Sequence, residues 1–128
     1  MILVALGSNQ HGPWGSPGEA LATALARLDG GGVRLKRASR PIVSAPFGVT
    51  GQPAFVNAVA EVETALPPEA LLERLHLIER MAGRRRTRHW GPRTLDLDLL
   101  DYHGLVRKPP ARPVLPHPGI PEPVSYTH

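Results

Sequence analysis

At 128 residues, 41% of them hydrophobic, the chain is long enough to bury one core and too short for two. It carries no cysteine, which excludes disulfides, thiolate metal ligands and a cysteine nucleophile. Fifteen basic and eleven acidic side chains give a net charge of +4, and no apolar run approaches the ~20 residues that cross a bilayer, so a soluble protein without a membrane partner is expected.

The first element is an apolar strand, Met1 to Leu6, running into Gly7-Ser8-Asn9; it has neither the basic flank nor the cleavage site of a signal peptide, and a cytoplasmic protein is expected. Gly12, Pro13, Gly15 and Pro17 keep the next stretch irregular until Ser16 can cap a helix from about Gly18 to Leu28. There Leu21, Leu25 and Leu28 form one stripe and Gly30-Gly31-Gly32 ends it. Val33 to Ile42 alternates as a partly exposed strand. Ser44 to Pro53 is dense in Gly and Pro and reads as a long loop, the kind that often carries ligand contacts. Phe55 to Thr64 resumes a strand. Pro67-Pro68 opens a second helix whose apolar face is Leu71, Leu72, Leu75, Ile78 and Met81. Thr94 to Tyr102 alternates aspartate and leucine with period two, a strand with one apolar and one acidic face. The order is βαββαβ, which predicts an α+β, ferredoxin-like sandwich: an antiparallel sheet with both helices packed on one face.

Asp96 and Asp98, two apart on a strand, project from the same face and can share one or two hard cations. Mg²⁺ suits them because it takes oxygen ligands and leaves positions for phosphate and water. A solvated edge strand would give the same pair. Just upstream, Arg84, Arg85, Arg86, Arg88 and Arg93 crowd into ten residues, and cations beside paired carboxylates match a metal-bound polyphosphate. A solvated basic loop or an RNA-binding surface would also be arginine-rich. Trp90 and Phe55 are aromatics beside irregular segments and could stack on a flat heteroaromatic ring, although core packing is the commoner use of a phenylalanine. Asn57 shares Phe55's strand face and could bond the edge of such a ring. His117, in Leu115-Pro116-His117-Pro118, has no second histidine at ligand spacing. Walker A and Gly-x-Ser-x-Gly sequences are absent.

The run Trp90-Gly91-Pro92-Arg93-Thr94-Leu95-Asp96-Leu97-Asp98 resembles the signature of the 6-hydroxymethyl-7,8-dihydropterin pyrophosphokinases. Leu6-Gly7-Ser8-Asn9, Gln52-Pro53-Ala54-Phe55-Val56-Asn57 and Leu115-Pro116-His117-Pro118 match other family segments in order. The resemblance implies transfer of diphosphate from ATP to the pterin hydroxymethyl group, with release of AMP, in folate biosynthesis. It implies two Mg²⁺ ions on Asp96 and Asp98, and Arg84 and Arg93 with them as the catalytic set. Arg84, Arg86, Trp90, Arg93 and His117 would bind ATP; Phe55, Asn57 and backbone around Ser44, Ala45 and Phe47 would bind the pterin. The partners are then two small molecules, with no nucleic acid, and the protein is expected to be a monomer. The loops Gly48 to Gly51 and Arg84 to Trp90 are candidates for a lid. His89 stands where many members carry arginine. The domain is expected to span 1–122, cut short, because Ser125 stands where the family carries a pterin-stacking phenylalanine; 123–128 is expected to be a non-native tail, because Val124-Ser125-Tyr126-Thr127-His128 is what one reading frame of a transposase adaptor used in sequencing libraries would encode. The alternatives are an RNA-binding ferredoxin-like module and an inactive, ATP-binding remnant of the same family.

Overall fold

Residues 1–44, 55–83 and 94–118 are described in the computed structural model. Its elements are β1 (Ile2–Ser8), α1 (Pro17–Leu28), β2 (Val33–Ala38), β3 (Ile42–Ser44), β4 (Phe55–Thr64), α2 (Pro68–Met81) and β5 (Asp96–Tyr102). The apolar run at the N-terminus becomes a central strand, which is why it persists through Gly7 and Ser8 beyond the predicted end at Leu6. Both residues have neighbours to pair with, Gly7 lying opposite Asn57 on one side and Asp96 on the other.

The sheet is antiparallel in the order β2-β4-β1-β5, with β3 also paired to β4. This is the ferredoxin-like arrangement that the element order predicts. One expected strand, Val33 to Ile42, is two: β2 pairs with the second half of β4 and β3 with its first three residues. Pro41, which has no N–H to give a ladder, lies in the break. Across it Ser39 substitutes for regular pairing, its backbone N–H donating to Val59 O at 2.8 Å and its Oγ accepting from Val59 N at 2.9 Å.

Both helices cover one face. Ile2, Val4 and Leu6 of β1, Ala58, Ala60 and Val62 of β4, and Leu97 and Leu99 of β5 meet Leu21, Ala24 and Leu28 of α1 and Leu71, Leu75 and Ile78 of α2 in a single core. Burying each such leucine or isoleucine contributes roughly 1.5–3 kcal/mol. On α2 the stripe is narrower than predicted, since Met81 is 40% exposed and Ala82 takes the place at its end. The Thr94–Tyr102 alternation holds as far as Leu99. The Leu99-Leu100 doublet is where β5 slips against β1, so that Leu99 lies opposite Val4 and Asp101 opposite Leu3.

α1 starts at a reciprocal capping box: Glu19 N–H donates to Ser16 Oγ at 3.3 Å and Ser16 N–H to Glu19 Oε1 at 3.0 Å. The Ser16 backbone N–H, and then its hydroxyl, hold the Glu19 carboxyl below its usual range. At the other end of the helix, Arg74 of α2 donates to Arg27 O at 2.7 Å, satisfying a terminal carbonyl and tying the helices together. Among the described residues no helix is long and apolar enough to cross a membrane. The proposed tail, 123–128, lies outside the described residues, as do both candidate lid loops.

Candidate functional site on the open face of the sheet

Alternation along the strands sends Phe55, Asn57 and Val59 of β4, Ala5 and Gly7 of β1, and Asp96 and Asp98 of β5 to the face that the helices leave open. The register sets them in rows. Asn57, Gly7 and Asp96 lie side by side across three strands, and Val59, Ala5 and Asp98 form the row next to it. With strands about 4.8 Å apart, the backbones of Asn57 and Asp96 are separated by about 10 Å, and Asp96 and Asp98 by about 7 Å along one strand. Small residues, Gly7 and Ala5, lie between the polar ones. A Cβ on Gly7 would sit 2.9 Å from Asn57 Oδ1, so the missing side chain is the space into which the Asn57 amide leans.

Phe55 is half-buried and outside the helix-side core, whereas its neighbour Val56 packs against that core. Among the described residues Phe55 is thus not part of that core. It lies opposite Ser44, the last residue of β3. Ala45, Phe47, Arg84, Arg86, Trp90 and Arg93 fall outside the described residues.

His117 is brought to the acidic pair by the segment that follows β5. That segment folds back through mutual backbone hydrogen bonds between Arg107 and Leu115, at 2.8 and 2.9 Å, and buries Leu115 in the core. An Arg107–Glu69 ion pair at 2.6 Å fastens it to α2; the Arg107 hydrogen bond is the main reason the Glu69 carboxyl lies below its usual range. The His117 N–H then donates to Leu100 O at 2.9 Å, and its Nε2 lies 3.8 Å from Asp98 Oδ1. Both side chains keep partial access to solvent, 34% for His117 and 44% for Asp98.

Four residues to which sequence reasoning assigned no role in the site hold it in place. Ser8 Oγ donates to Thr94 O at 2.6 Å, joining the end of β1 to the entry of β5. Gly12 permits a close approach, because a Cβ there would meet Thr94 Cγ2 at 2.9 Å and Ala82 O at 3.2 Å. Gly83, at a positive φ of 86°, would likewise collide with Pro13. Gly83 and Thr94 flank the arginine-rich stretch in sequence, and both pack on the Gly12–Pro13 turn. The fourth residue is Glu79 of α2, which is 3% exposed and accepts a hydrogen bond from Leu97 N–H at 2.8 Å. Its signal was an acidic residue set among Leu75, Ile78 and Ala82 on the apolar side of a helix.

Among the described residues no three His, Asp or Glu side chains cluster as a complete metal cage. Two carboxylates on one face, an all-oxygen donor pair, suit a Mg²⁺ ion, which commonly takes one or two carboxylates and completes its shell with other oxygen ligands. Farther along this face the charges are paired off: Glu61 accepts from Arg37 Nε at 2.7 Å and has Lys36 at 3.6 Å. The Arg37 hydrogen bond, more than the neighbouring charges, holds the Glu61 carboxyl below its usual range.

The family model described as 7,8-dihydro-6-hydroxymethylpterin-pyrophosphokinase (HPPK) matches residues 3–124. A 2-amino-4-hydroxy-6-hydroxymethyldihydropteridine pyrophosphokinase of Haemophilus influenzae is 45% identical over 77% of this chain and 60% of its own length. One of Pseudomonas putida is 41% identical over 89% of this chain and 91% of its own. The mitochondrial folate synthesis bifunctional protein of Arabidopsis thaliana is 38% identical over 91% of this chain and 20% of its own. The chain thus spans three-fifths of the Haemophilus relative and nearly all of the Pseudomonas putida one.

Proposed function

Since the chain belongs to the 7,8-dihydro-6-hydroxymethylpterin-pyrophosphokinase family, we propose that its open sheet face transfers diphosphate from ATP to 6-hydroxymethyl-7,8-dihydropterin, the reaction that the names of its relatives describe. The observation that carries this reading is the register: Asn57, Gly7 and Asp96 share one row, with Phe55 and Asp98 on the same face.

In this reading the pterin ring stacks on Phe55 and its polar edge bonds the Asn57 amide, with Ser44, Ala45 and Phe47 supplying backbone contacts. The hydroxymethyl oxygen attacks the β-phosphorus of ATP and gives up its proton to solvent, the bond from the β-phosphorus to the oxygen bridging it to the α-phosphate breaks, and AMP leaves with that oxygen. Asp96 and Asp98 would hold Mg²⁺, two ions in the family-like arrangement, which when bound neutralises phosphate charge and orients the triphosphate. Arg84, Arg86 and Arg93 bind phosphate oxygens as forked donors. Trp90 and His117 contact the nucleotide, and His117 beside Asp98 ties the nucleotide end of the site to the acidic pair. No base of unusual pKa is required, because positioning and charge neutralisation dominate phosphoryl transfer.

The protein is read as a cytoplasmic monomer acting on two small molecules. An acidic pair on the open face disfavours RNA, whose phosphates it would repel. The test is pterin-dependent formation of AMP from Mg-ATP. AMP that appears only with pterin, and is lost in Asp96→Ala, is expected. An Asp96→Ala protein as active as the parent would contradict the assignment, and Mg-ATP binding with no AMP would favour the inactive remnant.

A further inference from the structure

We infer that Glu79 is a positioning residue for the Asp96–Asp98 pair, acting through the backbone of Leu97 from the opposite face of the sheet. The inference rests on the reading of that pair as a cation site. Among the described strands β5 is the edge of the ladder, with β1 as its strand neighbour. A strand hydrogen-bonded along one side can roll about its axis, and a roll turns its side chains away from the perpendicular. Leu97 lies between the two aspartates, and its N–H, pointing away from β1, donates to Glu79 Oε2 at 2.8 Å. That bond fixes the roll of β5 at the residue that decides where both carboxylates point. Farther along the same edge the His117 N–H bonds Leu100 O, so β5 is held on both sides where it carries the site.

The choice of residue argues for this role. Glu79 is 3% exposed, on a helix face otherwise occupied by Leu71, Leu75, Ile78 and Ala82. Burying a carboxylate costs several kcal/mol unless hydrogen bonds offset it. An apolar side chain would fill the space without that cost, but would leave the Leu97 N–H with no acceptor in the core. Residues behind metal ligands that orient them in this way typically change metal affinity about 10–100-fold when replaced.

The experiment compares Glu79→Leu and Glu79→Gln with the parent chain by two readouts that do not need turnover: Mn²⁺ affinity, and hydrogen exchange at the Leu97 amide against Val4 and Ala60 in the central strands. Glu79→Leu should bind Mn²⁺ about 10-fold more weakly and exchange Leu97 faster, with Val4 and Ala60 still protected. Glu79→Gln keeps an oxygen acceptor and should match the parent in both. Parental Mn²⁺ affinity in Glu79→Leu, or a Glu79→Gln protein as weak as Glu79→Leu, would overturn the proposal. Should Glu79→Leu fail to fold, Glu79→Gln decides alone: retained affinity and protection support the acceptor role, and loss of either overturns it. If the parent shows no Asp96-dependent Mn²⁺ binding, the cation reading falls and the proposal with it. Faster Leu97 exchange in Glu79→Leu would then mark Glu79 as a purely structural acceptor.

Discussion

The two faces of this one sheet are built by the same strands yet are selected for different things. On the covered face Ile2, Val4, Leu6, Leu97 and Leu99 are buried against two helices. On the open face the alternate neighbours around the site are Ala5, Gly7, Asp96 and Asp98, small or charged, with Asn57 and Phe55 beyond them. Packing explains the first set completely. It explains nothing about the second, where a glycine leaves room for an amide and two aspartates stand together on one face. A strand of alternating function separates stability from chemistry residue by residue, so substitutions on the two faces should fail in different ways.

The sharpest break should come from Asp96→Ala. Removing a ligand from a phosphate-binding cation site is expected to lower pterin-dependent AMP formation by at least about 10²-fold, while a half-exposed position changes stability within about 0.5 kcal/mol. The converse substitution, Leu75→Ala in the fully buried core, should cost about 2–5 kcal/mol in urea unfolding. Its folded fraction should keep the parent's Mn²⁺ affinity. If both substitutions harmed stability and activity alike, the division between faces would not hold.

A subtler test is Gly7→Ala. Its Cβ would press on Asn57 Oδ1 from 2.9 Å. Displacing that amide from a ring edge is worth about 1–2 kcal/mol, or ~10-fold in pterin affinity, with ATP affinity unchanged. Isothermal titration with each ligand separately would read the difference.

Much of the covered face is legible in the sequence because burial is periodic: Leu21, Leu25 and Leu28 announce α1, and the Asp–Leu alternation announces β5, though not its slip at Leu99-Leu100. The open face is legible only in part. Spacing alone puts Asp96 with Asp98 and Phe55 with Asn57, but the row joining Asn57 to Asp96 across Gly7 depends on which strands are neighbours and in what register, and no local pattern encodes that. Ser39 and Pro41 hid the break between β2 and β3, because a proline in a run of strand formers can also mark an edge. Glu79 was hidden differently, since one acidic residue does little to a helical stripe until its partner, a backbone N–H eighteen residues on, is known.

The smallest expected effect is on pH dependence. Glu19, Glu61 and Glu69 have carboxyl pKa values held low by Ser16, Arg37 and Arg107. A carboxyl whose pKa is lower in the folded state contributes stability that is present above its unfolded value, about 4.3, and is lost as the pH falls through the folded value. Melting temperature should therefore decline in acid below that point, and Arg37→Ala should make the decline shallower. All three carboxylates lie away from the Asp96–Asp98 pair, so Mn²⁺ affinity at neutral pH should not follow Arg37→Ala.

The most direct measurement is paramagnetic broadening of assigned amide resonances by Mn²⁺. The account predicts loss of signal at Ala5, Gly7, Asp96, Leu97 and Asp98, abolished by Asp96→Ala, with Leu25 and Leu72 on the helices unaffected. Broadening centred elsewhere, or unchanged by Asp96→Ala, would contradict the claim that the open face of the sheet is the cation site on which the proposed reaction depends.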